Sequence, residues 1–142
     1  YGWLIGIGTQ SAFGAESPTT VVVLDREPSG VAGLRKLAEL DNGAILAELP
    51  RYDAFKDRAL AVSRDGSSFT EIAGNGVQAP LLVTVISPLG WQPPESARVM
   101  FTQPIITEPA RTRQALVVSV GELASLLRSL DSAVVLEHVY DY

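Results

Sequence analysis

The 142-residue chain reads as an α+β domain in which two βαβ-like units bracket an antiparallel meander, with the helices on one face of the sheet. Three observations predict this. The closing stretch, residues 114–142, changes period from strand to helix and back to strand. Residues 20–49 follow the same course. Between them lie short apolar runs punctuated by Asp65-Gly66 and Gly74-Asn75-Gly76, the punctuation of hairpins.

In the closing unit, Ala115 to Val120 is apolar and valine-rich, the composition of a buried strand. Ser119 and Glu122 stand at capping-box spacing, which marks a helix start. Val120, Leu123, Leu127 and Leu130 then fall on one helical stripe, widened by Leu126. A last strand begins at Ala133, with Val134, Leu136, His138 and Tyr140 expected on one face and Val135, Glu137, Val139 and Asp141 on the other. Two parallel strands joined by a helix are the simplest reading.

The first unit is expected to run from a strand at Thr20–Leu24, through a helix capped by Ser29 and carrying Val31, Leu34, Leu37 and Leu40, to a strand at Ala44–Leu49. Asp41-Asn42-Gly43 would end that helix, its glycine in the left-handed C-cap. The run Leu37-x-x-Leu40-Asp41 before Ala44–Leu49 echoes Leu127-x-x-Leu130-Asp131 before Ala133–His138, which raises an internal duplication. Residues 50–57 read as a polar connector. The meander is assigned strands at Arg58–Ser63, Ser67–Ala73, Pro80–Ser87 and Ala97–Thr102, the third being the most apolar run of the chain. A ferredoxin-like arrangement with an inserted hairpin is the most economical topology.

Composition bounds the function. A hydrophobic fraction of 46% excludes disorder, and the net charge of −5, without clustered Lys and Arg, gives no footprint for nucleic acid and disfavours anionic membranes. With no cysteine there are no disulfides, thiolate metal sites or thiol nucleophiles. Residues 1–15 are apolar, glycine-rich and uncharged; they read as a signal-peptide remnant or an N-terminal arm, with residues 16–142 as a single α+β domain in an extracytoplasmic (periplasmic or secreted) setting. Gly6-x-Gly8 is followed by neither lysine nor helix, so no phosphate loop and no cofactor is expected.

His138 is the only histidine. It leaves no metal site, and among apolar strand neighbours its ordinary use is packing. No G-x-S-x-G elbow is present. Asp25 and Glu27 lie in the expected first βα turn, where ligands tend to bind, although capping is the ordinary use of acids there. Trp91 sits in Ser87–Glu95, a stretch with three prolines and a glycine. A tryptophan in such a stiff loop either anchors the loop to the core or presents a rigid aromatic to a partner, with Arg111 and Arg113 lining the same surface.

Ser63-Arg-Asp-Gly-Ser-Ser-Phe-Thr70 is similar to a hairpin of discoidin-like and galactose-binding β-sandwich modules over about ten residues, and departs from them in the two amphipathic helices expected around it. The resemblance implies sugar binding near Asp65. The reading that accommodates most is a non-catalytic, extracytoplasmic binding or accessory domain working through contacts with a protein partner. A carbohydrate-binding module and a small hydrolase using His138 with a carboxylate such as Asp141 are the alternatives.

Overall fold

A computed structural model describes residues 18–140. Strands β1 (Thr19–Leu24), β2 (Arg35–Glu39) and β3 (Ile45–Pro50) lead to helix α1 (Asp53–Arg64), then β4 (Phe69–Ile72) and the short β5 (Asn75–Gly76). Strands β6 (Pro80–Pro88), β7 (Arg98–Pro104) and β8 (Arg111–Ser119) lead to helix α2 (Leu123–Ser129) and β9 (Val135–Val139). They form two antiparallel sheets, ordered β2-β3-β1-β4-β5 and β7-β8-β6-β9. The α+β class holds, but the described residues form two sheets in place of one, with no meander between two βαβ units. Residues 1–15 and Asp141 lie outside the described residues.

The closing unit forms as its periodicity dictates. Val120, Leu123, Leu126 and Leu127 are fully buried, and Leu130 nearly so. β8 and β9 both run antiparallel to β6, which lies between them, so they are parallel to each other across a split strand-helix-strand unit. Two details differ from the sequence reading. Ser119 makes no capping hydrogen bond, because the chain enters α2 through a 3₁₀ turn at Val120–Glu122 whose first amides bond the carbonyls of Ala79 and Val77. In β9, a bulge at Glu137 breaks the alternation: Leu136 faces Val85 and His138 faces Thr84, so Leu136 and Val139 share the buried face.

The helix expected over Ser29–Leu40 is absent. Residues 35–39 are β2, and Asp41–Gly43 turns it back onto β3, with Asn42 and Gly43 both at positive φ (63° and 81°). Asn-Gly serves a hairpin turn as readily as a helix C-cap, and here the hairpin wins. Arg58–Ser63, expected as a strand, belongs instead to α1. Phe55, Ala59 and Val62 recur at helical spacing and are fully buried, and burying the Phe55 ring alone stabilises by about 1.5–3 kcal/mol. The Asp65-Gly66 pair is therefore not a hairpin. Gly66, at φ 97°, ends α1 in a Schellman motif: its N–H bonds Ser63 C=O and the Ser67 N–H bonds Val62 C=O. The likeness to a sugar-binding hairpin at Ser63–Thr70 has no hairpin to rest on.

A duplication is present in the architecture, in another register from the echo in the sequence. β1-β2-β3-α1-β4 and β6-β7-β8-α2-β9 have the same connectivity, and their strands stand in the same order, β2-β3-β1-β4 against β7-β8-β6-β9. Even the bulges coincide, with Leu37 and Met100 each inserted in the edge strand, and Thr70 and Glu137 each inserted in the last strand. β3 thus corresponds to β8, and not to β9 as the echo suggested. Side chains from both sheets and both helices form one hydrophobic cluster. α1 and α2 pack on each other, α1 also against β3 and β9, and α2 against β8. Among the described residues no helix is long and apolar enough to cross a membrane.

The Schellman turn predicts that Gly66→Ala destabilises by about 1–2 kcal/mol, since a β-carbon disfavours the left-handed conformation. Its Cβ would also lie 2.6 Å from an Arg26 guanidinium nitrogen. Chemical denaturation of the two proteins measures the difference; equal midpoints would remove this account of the helix end.

Candidate functional site

Strand β6 ends in Ser87-Pro88, and the chain turns at Gly90 before meeting β7. This loop and the ends of β7 and β8 enclose a cavity of about 370 Å³ lined by Leu89, Gly90, Trp91, Gln92, Val99, Thr102, Thr112 and Gln114. Trp91 packs partly buried against the core, as the anchoring alternative expected, while one side of it remains at the cavity. Gln114, 5% exposed, fixes the loop by donating from Nε2 to Ser87 Oγ (3.1 Å) and to the Trp91 carbonyl (3.2 Å). Among the described residues no lining side chain is charged. The cavity therefore suits an apolar or neutral polar group, and offers neither an acid nor a base.

The other expected site residues are elsewhere. Strand alternation sends Thr112 and Gln114 into the cavity and Arg111 and Arg113 to the opposite face of the sheet. There, Arg111 Nη2 donates to the carbonyls of Ile86 and Ala133 (3.2 and 3.1 Å). Arg113 forms a two-pronged pair with Glu137, Nε to Oε1 at 2.8 Å and Nη2 to Oε2 at 2.7 Å, and its Nη1 reaches Gln103 at 3.0 Å. Both arginines are occupied in tying strands together. Asp25 accepts from the Ser68 N–H at 2.8 Å, and Glu27 pairs with Lys36 at 3.1 Å. With a strand and no helix after β1, Asp25 and Glu27 are not in a βα turn; they brace loops.

A second constellation was not read in the sequence. Tyr52, between β3 and α1, adopts φ 63° and ψ −134°, a conformation that costs a non-glycine residue on the order of 1–3 kcal/mol. The next residue, Asp53, places Oδ1 3.4 Å from His138 Nδ1, and the Tyr140 ring meets His138 edge-on at 4.4 Å. The carboxylate near His138 among the described residues is thus Asp53. Asp53 is almost fully exposed, so the contact is screened by water and weak. Among the described residues, no group of three or more His, Asp or Glu gathers to hold a metal.

The cavity wall was only half legible. Trp91 stood out by its proline-stiffened context, whereas Thr102, Thr112 and Gln114 came from strands whose pairing decides which face each side chain takes. Thr112-x-Gln114 at period two was the available signal. No family model, curated protein or solved structure gives a significant match to the chain.

The Arg113 guanidinium holds the Glu137 carboxyl below its ordinary range, with help from the Thr84 hydroxyl and against partial burial. A carboxyl with a depressed folded pKa contributes stability that is present above its unfolded pKa and lost as pH falls through the folded value. Glu137→Gln should therefore cost on the order of 1 kcal/mol near neutral pH. The deficit relative to the unsubstituted protein should shrink as the pH is lowered below the ordinary carboxylate value. Thermal melts of both proteins across that range give the comparison; a deficit constant with pH would refute the role of the pair.

Proposed function

We propose that the chain is a non-catalytic, extracytoplasmic binding or accessory domain that holds a protein partner through the surface formed by the Trp91 loop and strand β7. The observation that carries this reading is the juxtaposition of an uncharged cavity beside Trp91 with an edge strand in which every residue is exposed. Val99, Met100 and Phe101 follow one another on that strand at 39%, 54% and 53% exposure, and Leu89 adds 64% at the cavity mouth. Val99 and Leu89 lie at the cavity, whereas Phe101, opposite Ala115, projects from the other face of the strand, so the edge offers apolar side chains on both faces; exposed apolar groups beside a partly buried aromatic are what interfaces are made of.

The same cavity supports a second reading, a carbohydrate-binding module, because Trp91 stands among neutral hydrogen-bonding side chains, Gln92, Gln114, Thr102 and Thr112. A glycan array separates the two: binding of a glycan that disappears with Trp91→Ala would favour the sugar.

For the protein-binding reading, Trp91→Ala should lower retention of partner in a pull-down from source-cell extract by about tenfold, the usual scale for a central aromatic. Leu89→Arg, at an exposed position, should do the same with no change in melting temperature. Unchanged retention with both variants would sink the proposal.

A further inference from the structure

We infer that the partner presents an extended segment that adds to the second sheet as a fifth strand along β7, with an apolar side chain entering the Trp91 cavity and a carboxylate meeting Arg98. This deepens the protein-binding reading and rests on it. Among the described residues β7 is hydrogen-bonded to β8 alone, which leaves its outer backbone edge open to a further strand. Free strand N–H and C=O groups are completed by another extended backbone, the basis of recognition by strand addition. The other edge of the same sheet is covered: α1 packs on β9, where Lys56 Nζ donates to the Glu137 carbonyl at 3.0 Å.

The duplication supplies an internal control. Aligning the bulges at Leu37 and Met100 sets Arg35 against Arg98, Lys36 against Val99, Ala38 against Phe101 and Glu39 against Thr102. β2 is guarded by charge, with Lys36 bridging Glu27 at 3.1 Å and Glu39 at 2.7 Å. β7 replaces that guard with Val99 and Thr102 and adds Phe101. The arginine itself carries the second half of the contrast. Arg35 faces Glu48 across the ladder and pairs with it at 2.6 Å, whereas Arg98 faces Val117. Among the described residues Arg98 has no ion pair, so its guanidinium is available to a carboxylate where that of Arg35 is taken by Glu48. A second copy of this chain paired β7 to β7 brings no carboxylate, since Arg98–Pro104 contains none. The charge match favours a strand from a different protein, alternating apolar and polar residues and carrying an Asp or Glu opposite Arg98.

The test pans the full chain against a phage-displayed library of random dodecapeptides and measures the selected synthetic peptides by fluorescence polarisation. Enriched peptides should alternate in polarity and contain an acid. Arg98→Glu should weaken them about tenfold, the scale of a charge-assisted hydrogen bond, and exchanging the peptide acid for lysine should restore binding. N-methylation of the peptide's alternate amides should abolish binding in one phase and spare it in the other. No enrichment, or affinities indifferent to Arg98→Glu and to N-methylation, would overturn the strand. If such indifferent peptides were still lost with Trp91→Ala, the protein-binding surface would survive without the strand; indifference to all three changes would remove both. Sedimentation velocity resolving a dimer that Phe101→Glu dissociates would assign the edge to a second copy. A photo-crosslinker at position 100 that joined residues 1–17 of the same chain would assign it to that segment. Either result overturns the inference.

Discussion

The contact between α1 and α2 is the constraint on which the rest of the structure depends. Each helix covers the sheet of its own half, and a helix with one apolar stripe cannot also face another helix unless the stripe is wide. Phe55, Ala59 and Val62 on α1, and Leu123, Ala124, Leu126 and Leu127 on α2, provide that width, and all are fully buried. The two sheets thus share one core. Arg128 reinforces the join with hydrogen bonds to the carbonyls of Ser63 and Ser67 at the end of α1, at 3.0 and 3.3 Å.

How much of this was legible in the sequence depended on whether the deciding contacts were local. The closing unit was, because valines at strand density give way to leucines at helical spacing within a dozen residues. Pro80–Ser87 was also legible as a central strand. The first half was not. Asn42-Gly43 and Asp65-Gly66 each admit a hairpin turn or a helix end, since both need only positive φ, and each was resolved the wrong way. What decides between them is distant: Leu37 in the edge strand and Leu40 just after it remain about two-fifths exposed, while Phe55, Ala59 and Val62 find a sheet to lie against. The site followed the same rule. Trp91 was visible from its prolines, but the separation of Thr112 and Gln114 from Arg111 and Arg113 is a property of pairing with β6 and β7.

The duplicated topology is preserved where backbone geometry matters and relaxed where side chains meet solvent. Bulges sit at matching places in both halves because each re-aims a strand end that packing requires. Edge residues obey no such demand, and the two edges have diverged, one to paired charges and the other to aliphatic and aromatic side chains. Edge strands usually carry devices against unwanted pairing. β2 carries paired charges; β7 keeps the bulge at Met100, Arg98 and the terminal Pro104.

The cover that α1 lays over β9 makes the two halves indivisible. α1 belongs to the first half, yet the strand edge it shields is in the second, so separating them would bare β9 as well as the leucine stripe of α2. The two halves thus share their protection unequally: the last strand of the second is shielded by the helix of the first, while the edge strands β2 and β7 are left to their own side chains.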